Sequence, residues 1–239
     1  YAEVHLLMEP GEPGSGLTFE TNVNESVLSR NWQRLIMTHL AEKEHRGVLT
    51  GAPVTDIHFI LVAGKAHLKH TEGGDFRQAT YRAVRQGLKK AQSVLLEPYY
   101  NFVLKVPSEN TGRAMTDVSR MQGNINSPET EGELSILTGY APVSEMRDYV
   151  NVVNEYSHGK GSLDLKFKGY APCHNQDEIV SLYDYDSEAD LNNPTGSVFC
   201  ANGTGFTVPW DEVEKYMHVK TDTNYNGSYD IDSVSYTHL

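Results

Sequence analysis

The 239-residue chain has only two cysteines, Cys173 and Cys200, and their spacing is not that of a zinc-binding motif. Two thiols are too few for a disulfide framework, so both read as reduced. No apolar run approaches the ~18 residues that a membrane-spanning helix needs, and no signal peptide opens the sequence. A phosphate-binding loop is missing. Gly64-Lys65 is the nearest approach, but Ala66 stands where Ser or Thr is required, and Phe59 where Gly is. The GxSxG and HExxH patterns are absent too, so nothing in the chain by itself points to catalysis. Asn-x-Ser/Thr triplets at Asn24, Asn202 and Asn226 carry little meaning without a secretory signal.

What remains is the composition of a globular protein, 38% hydrophobic and 22% charged, with a mean hydropathy of −0.48. The length suits one large domain or two of about 100–120 residues. The net charge of −12 is unevenly spread. Residues 30–105 hold 12 Lys and Arg against 6 Asp and Glu, a net of +6, together with five of the ten histidines. The remainder carries −18. An acidic chain with one basic segment suits a nucleic-acid contact confined to that segment.

Tyr1 to Met8 reads as a strand, and the Pro- and Gly-rich stretch 9–16 as a turn. Leu17 to Val23 alternates as a second strand. Asn24 is placed to cap a helix whose apolar face is Leu28, Trp32, Leu35, Ile36 and Leu40, ending near Gly47. Gly51 to Val62 reads as a third strand. Residues 64–76 form a cationic loop ending in a double glycine. The helix after it, Phe76 to Leu96, has a buried stripe of Ala79, Ala83, Val84, Leu88, Ala91 and Leu95. Its outer face carries Arg82, Arg85 and Lys89 as a basic ridge continuing the charge of the loop.

Glu97-Pro98 ends that helix, because the residue before proline disfavours the helical region. A second unit then reads strand, helix, strand, strand, helix, strand: Tyr99–Val106, a helix capped by Ser108, a short segment near Ile125, Glu133–Ala141, a helix capped by Ser144, and Leu163–Tyr170. This is the ferredoxin-like βαββαβ pattern. The fold class is α+β in two domains, 1–96 and 97–173. A C-terminal extension follows at 174–220, with a short helix over residues 210–218 that turns Val213, Tyr216 and Met217 inward. Residues 221–239 lack periodicity and read as a disordered or artefactual tail; the stretch from Ser233 to Leu239 looks like a translated sequencing adapter.

His67 and His70 admit a metal-ligand reading, but no carboxylate or thiol is placed beside them. A general-base histidine is also conceivable, without an evident nucleophile. Lys65, His67, Lys69 and His70 suit phosphate contact, and the imidazoles can stack on bases.

In the second unit, Pro107-Ser108-Glu109-Asn110-Thr111-Gly112, Asp117-Val118-Ser119-Arg120-Met121-Gln122-Gly123, Pro142-Val143-Ser144-Glu145-Met146 with Tyr149, and His158-Gly159-Lys160-Gly161 resemble the fifth domain of elongation factor G. In the first, Gly51-Ala52-Pro53-Val54-Thr55-Asp56, Phe76 and Leu95-Leu96-Glu97-Pro98 are similar to its fourth domain, which implies a fold like ribosomal protein S5 domain 2. Glu9-Pro10, Gly14-Ser15-Gly16-Leu17 and the stretch from Asn193 to His218 look like the tetracycline-resistance ribosomal protection proteins. The resemblance implies that a G domain, holding GTP and Mg²⁺, and two further domains precede Tyr1. This chain would then hold no cofactor or metal and not itself be an enzyme. It also implies a cytoplasmic monomer that binds the ribosome, through 16S and 23S rRNA and proteins near the stalk base, and neither DNA nor membrane.

By the same resemblance the domain IV tip enters the decoding region. Its rRNA contacts are then Gly14, Ser15, Gly16, Lys65, His67, Leu68, Lys69, His70 and Arg77, supported by Arg82, Arg85 and Lys89. His67 matches the tip histidine of elongation factor G. Drug-displacing members instead carry a Ser-Pro-Val run where Leu68, Lys69 and His70 stand. The alternatives are a translocase or paralogue without drug release, and a free-standing RNA-binding module.

Overall fold

A computed structural model describes residues 1–220 and the backbone of 234–238. It divides into two compact units, 1–95 with 177–238 and 96–176. The expectation of a disordered tail falls mostly on residues outside those described. Within it, Val234–His238 is a strand paired with Val54–Thr55.

The first unit is built on a three-stranded sheet. Strand β1 (Ala2–Pro10) runs antiparallel to the long strand β4 (Ile57–Ala66), pairing Ala2 with Ala66 and Pro10 with Ile57. On the other side, β2 (Leu17–Thr21) runs parallel to β4, starting with Leu17 opposite Ile57. Helices α1 (Arg30–Glu42) and α2 (Gly73–Lys90) cover the sheet, burying Ile36, Leu40, Val84 and Leu88 against Phe59, Leu61 and Phe76.

Several boundaries differ from the sequence reading, each for a local reason. Asn24 does not cap α1. Its side-chain oxygen accepts from Ser26 N–H, closing a turn, and the helix starts at Arg30. The third strand is interrupted at Asp56, whose φ of 56° is left-handed, so β3 (Val54–Thr55) and β4 are separate. The double glycine belongs to the first turn of α2. Glu72 and Asp75 exchange side-chain and backbone hydrogen bonds as a capping box there, which overrides the poor helix propensity of Gly73-Gly74. At its other end α2 stops at Lys90. Residues 92–96 are already strand, opening the 16-residue β5 (Gln92–Pro107).

The second unit has the order β5, α3 (Thr111–Arg120), β6 (Asn124–Ile125), β7 (Glu129–Glu131), β8 (Leu134–Pro142), α4 (Val143–Met146), α5 (Tyr149–Tyr156) and β9 (Ser162–Pro172). Its main strands lie in the spatial order β9-β5-β8-β6, all antiparallel neighbours, the arrangement the βαββαβ pattern implies. Phe102, Leu104 and Leu137 from the sheet meet Ala114, Val118 and Val153 from the helices. Tyr149 buries its hydroxyl between Tyr156 Oη (3.2 Å) and Asp117 Oδ2 (3.1 Å), which satisfies a polar group that would otherwise cost stability in the core. Ser144 caps nothing; its hydroxyl faces Glu97.

In the extension, α6 (Gln176–Tyr183) is followed by a hairpin of β10 (Ser197–Ala201) and β11 (Thr204–Val208). Asn202 and Gly203 both take positive φ in its two-residue turn, as the right-handed strand twist requires. The helix expected over 210–218 is a single 3-10 turn, Val213–Tyr216; Tyr216 packs its ring on Phe199 and Phe206, yet remains 41% exposed.

Candidate nucleic-acid interface

Between Ala66 at the end of β4 and Gly73 at the start of α2 the chain makes one tight turn. His70 N–H donates to His67 O (3.2 Å), closing it. Thr71 braces the turn from inside: its hydroxyl accepts from His67 N–H (2.6 Å) and donates to the carbonyl of Tyr1, the residue before β1. Thr71 was not singled out from sequence, and a lone threonine in a polar loop gives no signal of this role. The turn brings the His67 and His70 rings into a stack, centroids 4.6 Å apart. His67 Nδ1 accepts from Lys69 N–H (3.2 Å), which places the imidazole proton on Nε2.

Leu68, at the apex, is wholly exposed, and Lys65 and Lys69 are exposed as well. Among the described residues neither lysine is ion-paired, whereas Glu72 and Asp75 are engaged in capping α2. Arg77, one turn into the helix, has its guanidinium 3.5 Å from Glu42 and is half-exposed. The result is a small cationic protrusion with an apolar apex and paired imidazoles.

Gly14, Ser15 and Gly16 do not join this group. They follow β1, whose Pro10 pairs with Ile57, so they lie at the other end of β4 from the 67–72 turn. About nine residue steps of strand separate the two ends, roughly 30 Å. Asp56 holds that loop instead, its buried carboxylate accepting from Gly14 N–H (3.1 Å) and Gly16 N–H (3.0 Å). The resemblance groups with the tip three residues that the sheet register separates from it.

The basic ridge of α2 is also not what the helical period suggested. Arg85 is only 4% exposed. Its guanidinium donates to the carbonyls of Arg46 (2.8 Å), Gly47 (3.4 Å) and Ser187 (3.3 Å) and to Tyr185 Oη (2.6 Å). Lys89 is paired with Glu188 (2.9 Å) and lies over the Trp210 ring. Gln86 donates to Trp210 O, and Lys90 pairs with Glu214. Burial lowers the pKa of Arg82. The acidic extension therefore occupies the ridge, and the contacts are structural. A helical wheel cannot show that a segment about a hundred residues later returns to cover one face.

Residues 1–92 match the family described as Elongation factor G, domain IV, and residues 94–179 match Elongation factor G C-terminus. Residues 1–179 are the domain IV and C-terminal domains of an elongation factor G-like protein. Elongation factor G 1 of Synechocystis sp. is 32% identical over 174 residues, 72% of this chain and 25% of that protein. The chain thus spans about a quarter of the curated relative's length. A crystal structure from Thermus thermophilus shares the fold, with a TM-score of 0.61 at 24% identity over 76% of this chain and 30% of the other. Among the described residues no helix is long and apolar enough to cross a membrane. Three side chains of different donor type converge in the second unit: Glu97, Cys173 and His174.

Proposed function

We propose that this chain is the ribosome-binding C-terminal portion of an elongation-factor-G-like translational GTPase, and that its 65–70 turn contacts small-subunit rRNA in the decoding region. The observation that carries this reading is the turn itself. Lys65 and Lys69 stand unpaired among the described residues beside stacked imidazoles, at one end of β4. Lysines neutralise phosphates, and imidazoles stack on unpaired bases, so the protrusion suits folded RNA better than a protein groove. GTP and Mg²⁺ would belong to a G domain outside these residues, and the factor would act as a cytoplasmic monomer.

A translocase-type parent is favoured over a ribosomal protection protein. Leu68, Lys69 and His70 stand where drug-displacing members carry Ser-Pro-Val, and the identified relative is an elongation factor G. The protection reading retains one support, the extension packed on α2; a rise in tetracycline tolerance on expressing the full gene would favour it.

Co-sedimentation with 70S ribosomes across a salt series tests the tip. Lys65→Glu with Lys69→Glu should weaken binding and reduce the salt slope by about 2, one per lost phosphate contact. An unchanged slope and affinity would refute the assignment.

A further inference from the structure

We propose that Glu97, Cys173 and His174 form a binding site for a divalent transition-metal ion, Zn²⁺ by its donor set, with Glu145 orienting the histidine and solvent completing the coordination. Antiparallel pairing of β5 with β9 sets Glu97 opposite Ala171, which brings residues far apart in sequence to one corner. A carboxylate oxygen, a thiol sulfur and an imidazole nitrogen there lie within 4.8 Å of one another.

Charge is the first argument. The Glu97 side chain is only 3% exposed, and a second carboxylate, Glu145, approaches the same imidazole. Among the described residues no lysine or arginine pairs with either acid. The imidazole of His174 can balance at most one of the two carboxylates, and a dication compensates both at once.

Ligand geometry is the second. Oε1 of Glu97 already accepts from His174 N–H (2.8 Å) and faces Nδ1 (2.6 Å), while Oε2 faces the Ser144 hydroxyl at 3.4 Å. Oε2, with its longer contact, is thus the oxygen better placed to ligate. On the far side of the ring, Nε2 lies 3.5 Å from Glu145 Oε1. A carboxylate accepting from one imidazole nitrogen while the other binds metal is the arrangement that fixes the tautomer of zinc-bound histidines. Tetrahedral Zn²⁺ places its ligand atoms roughly 3.5 Å apart, so His174 Nδ1 must leave its 2.6 Å contact with Oε1 to reach a metal held by Oε2.

Burial and Glu97 push the Cys173 thiol above its ordinary pKa. The mixed sulfur, nitrogen and oxygen set favours Zn²⁺ over Mg²⁺ or Ca²⁺.

The test uses the full chain under reducing conditions with Cys200→Ser, which leaves Cys173 as the sole thiol. Titration with Co²⁺ should give one equivalent of binding, a thiolate-to-cobalt charge-transfer band and the visible spectrum of tetrahedral cobalt, all displaced by Zn²⁺. Adding Cys173→Ser should abolish the charge-transfer band, and His174→Gln should weaken cobalt affinity at least tenfold. Far-UV circular dichroism checks that each variant is folded. No charge-transfer band in the Cys200→Ser chain would overturn the proposal without reference to the other variants. So would a band that persists without Cys173.

Discussion

Replacing Arg85 with methionine separates a structural guanidinium from an RNA-binding one. Methionine keeps much of the side-chain stem and removes the charge. Two of the four hydrogen bonds are short, to Arg46 O at 2.8 Å and Tyr185 Oη at 2.6 Å. Taking about 2 kcal/mol for each charge-assisted bond gives a loss of about 4 kcal/mol. The Nε of Arg85 is buried without a partner, and removing it returns about 1 kcal/mol. The net expectation is a destabilisation of about 3 kcal/mol. In a unit of this size that corresponds to a fall in melting temperature of roughly 6–12 °C. Thermal unfolding followed by circular dichroism measures it, and ribosome co-sedimentation well below the transition should be unchanged. An unchanged melting temperature with lost ribosome binding would refute the account and restore Arg85 to the interface.

Gly139→Ala should cost about 3 kcal/mol or more, because its Cβ would lie 1.9 Å from Asn124 O and drive β6 off β8; urea unfolding reads this directly. Asp56→Ala should cost more than Asp56→Gly by about 1 kcal/mol. Both lose the bonds to Gly14 and Gly16, but only alanine must hold a φ of 56° against its Cβ; the order of urea midpoints checks it. Burial lowers the pKa of His45, whose Nε2–H donates to Leu40 O. The unfolded chain therefore takes up that proton first. Stability from this group is full above about pH 6.5 and is lost as pH falls toward the folded value. Unfolding free energies measured from about pH 7.5 down to about pH 5 should decline less steeply in His45→Gln than in the parent chain.

The second unit was legible because its alternation and its order of elements are local signals. Leu163 and Leu165 pack on the core from β9, whereas Phe167, the next residue of the same alternation, is 57% exposed. The turn at 67–70 was legible too, as a cationic break between a strand and a helix. Three things were not. Residues 92–96 continued the apolar period of α2, but pairing in β5 won over local helical preference. Gly14, Ser15 and Gly16 looked like tip residues until the β1–β4 register placed them at the far end of the sheet. The ridge of Arg85 and Lys89 looked solvated because its cover, Tyr185 to Trp210, lies about a hundred residues away in sequence. Long-range pairing decides all three, and periodicity carries no information about it.

Directed hydroxyl-radical probing tests the central claim most directly. An iron chelate tethered at Leu68→Cys, with Cys173 and Cys200 replaced by serine, should cleave 16S rRNA in the decoding region when the chain is bound to 70S ribosomes. The same chelate at Ser15→Cys, roughly 30 Å away along the sheet, should leave that region intact. Cleavage of the decoding region from position 15 but not from position 68 would contradict the account.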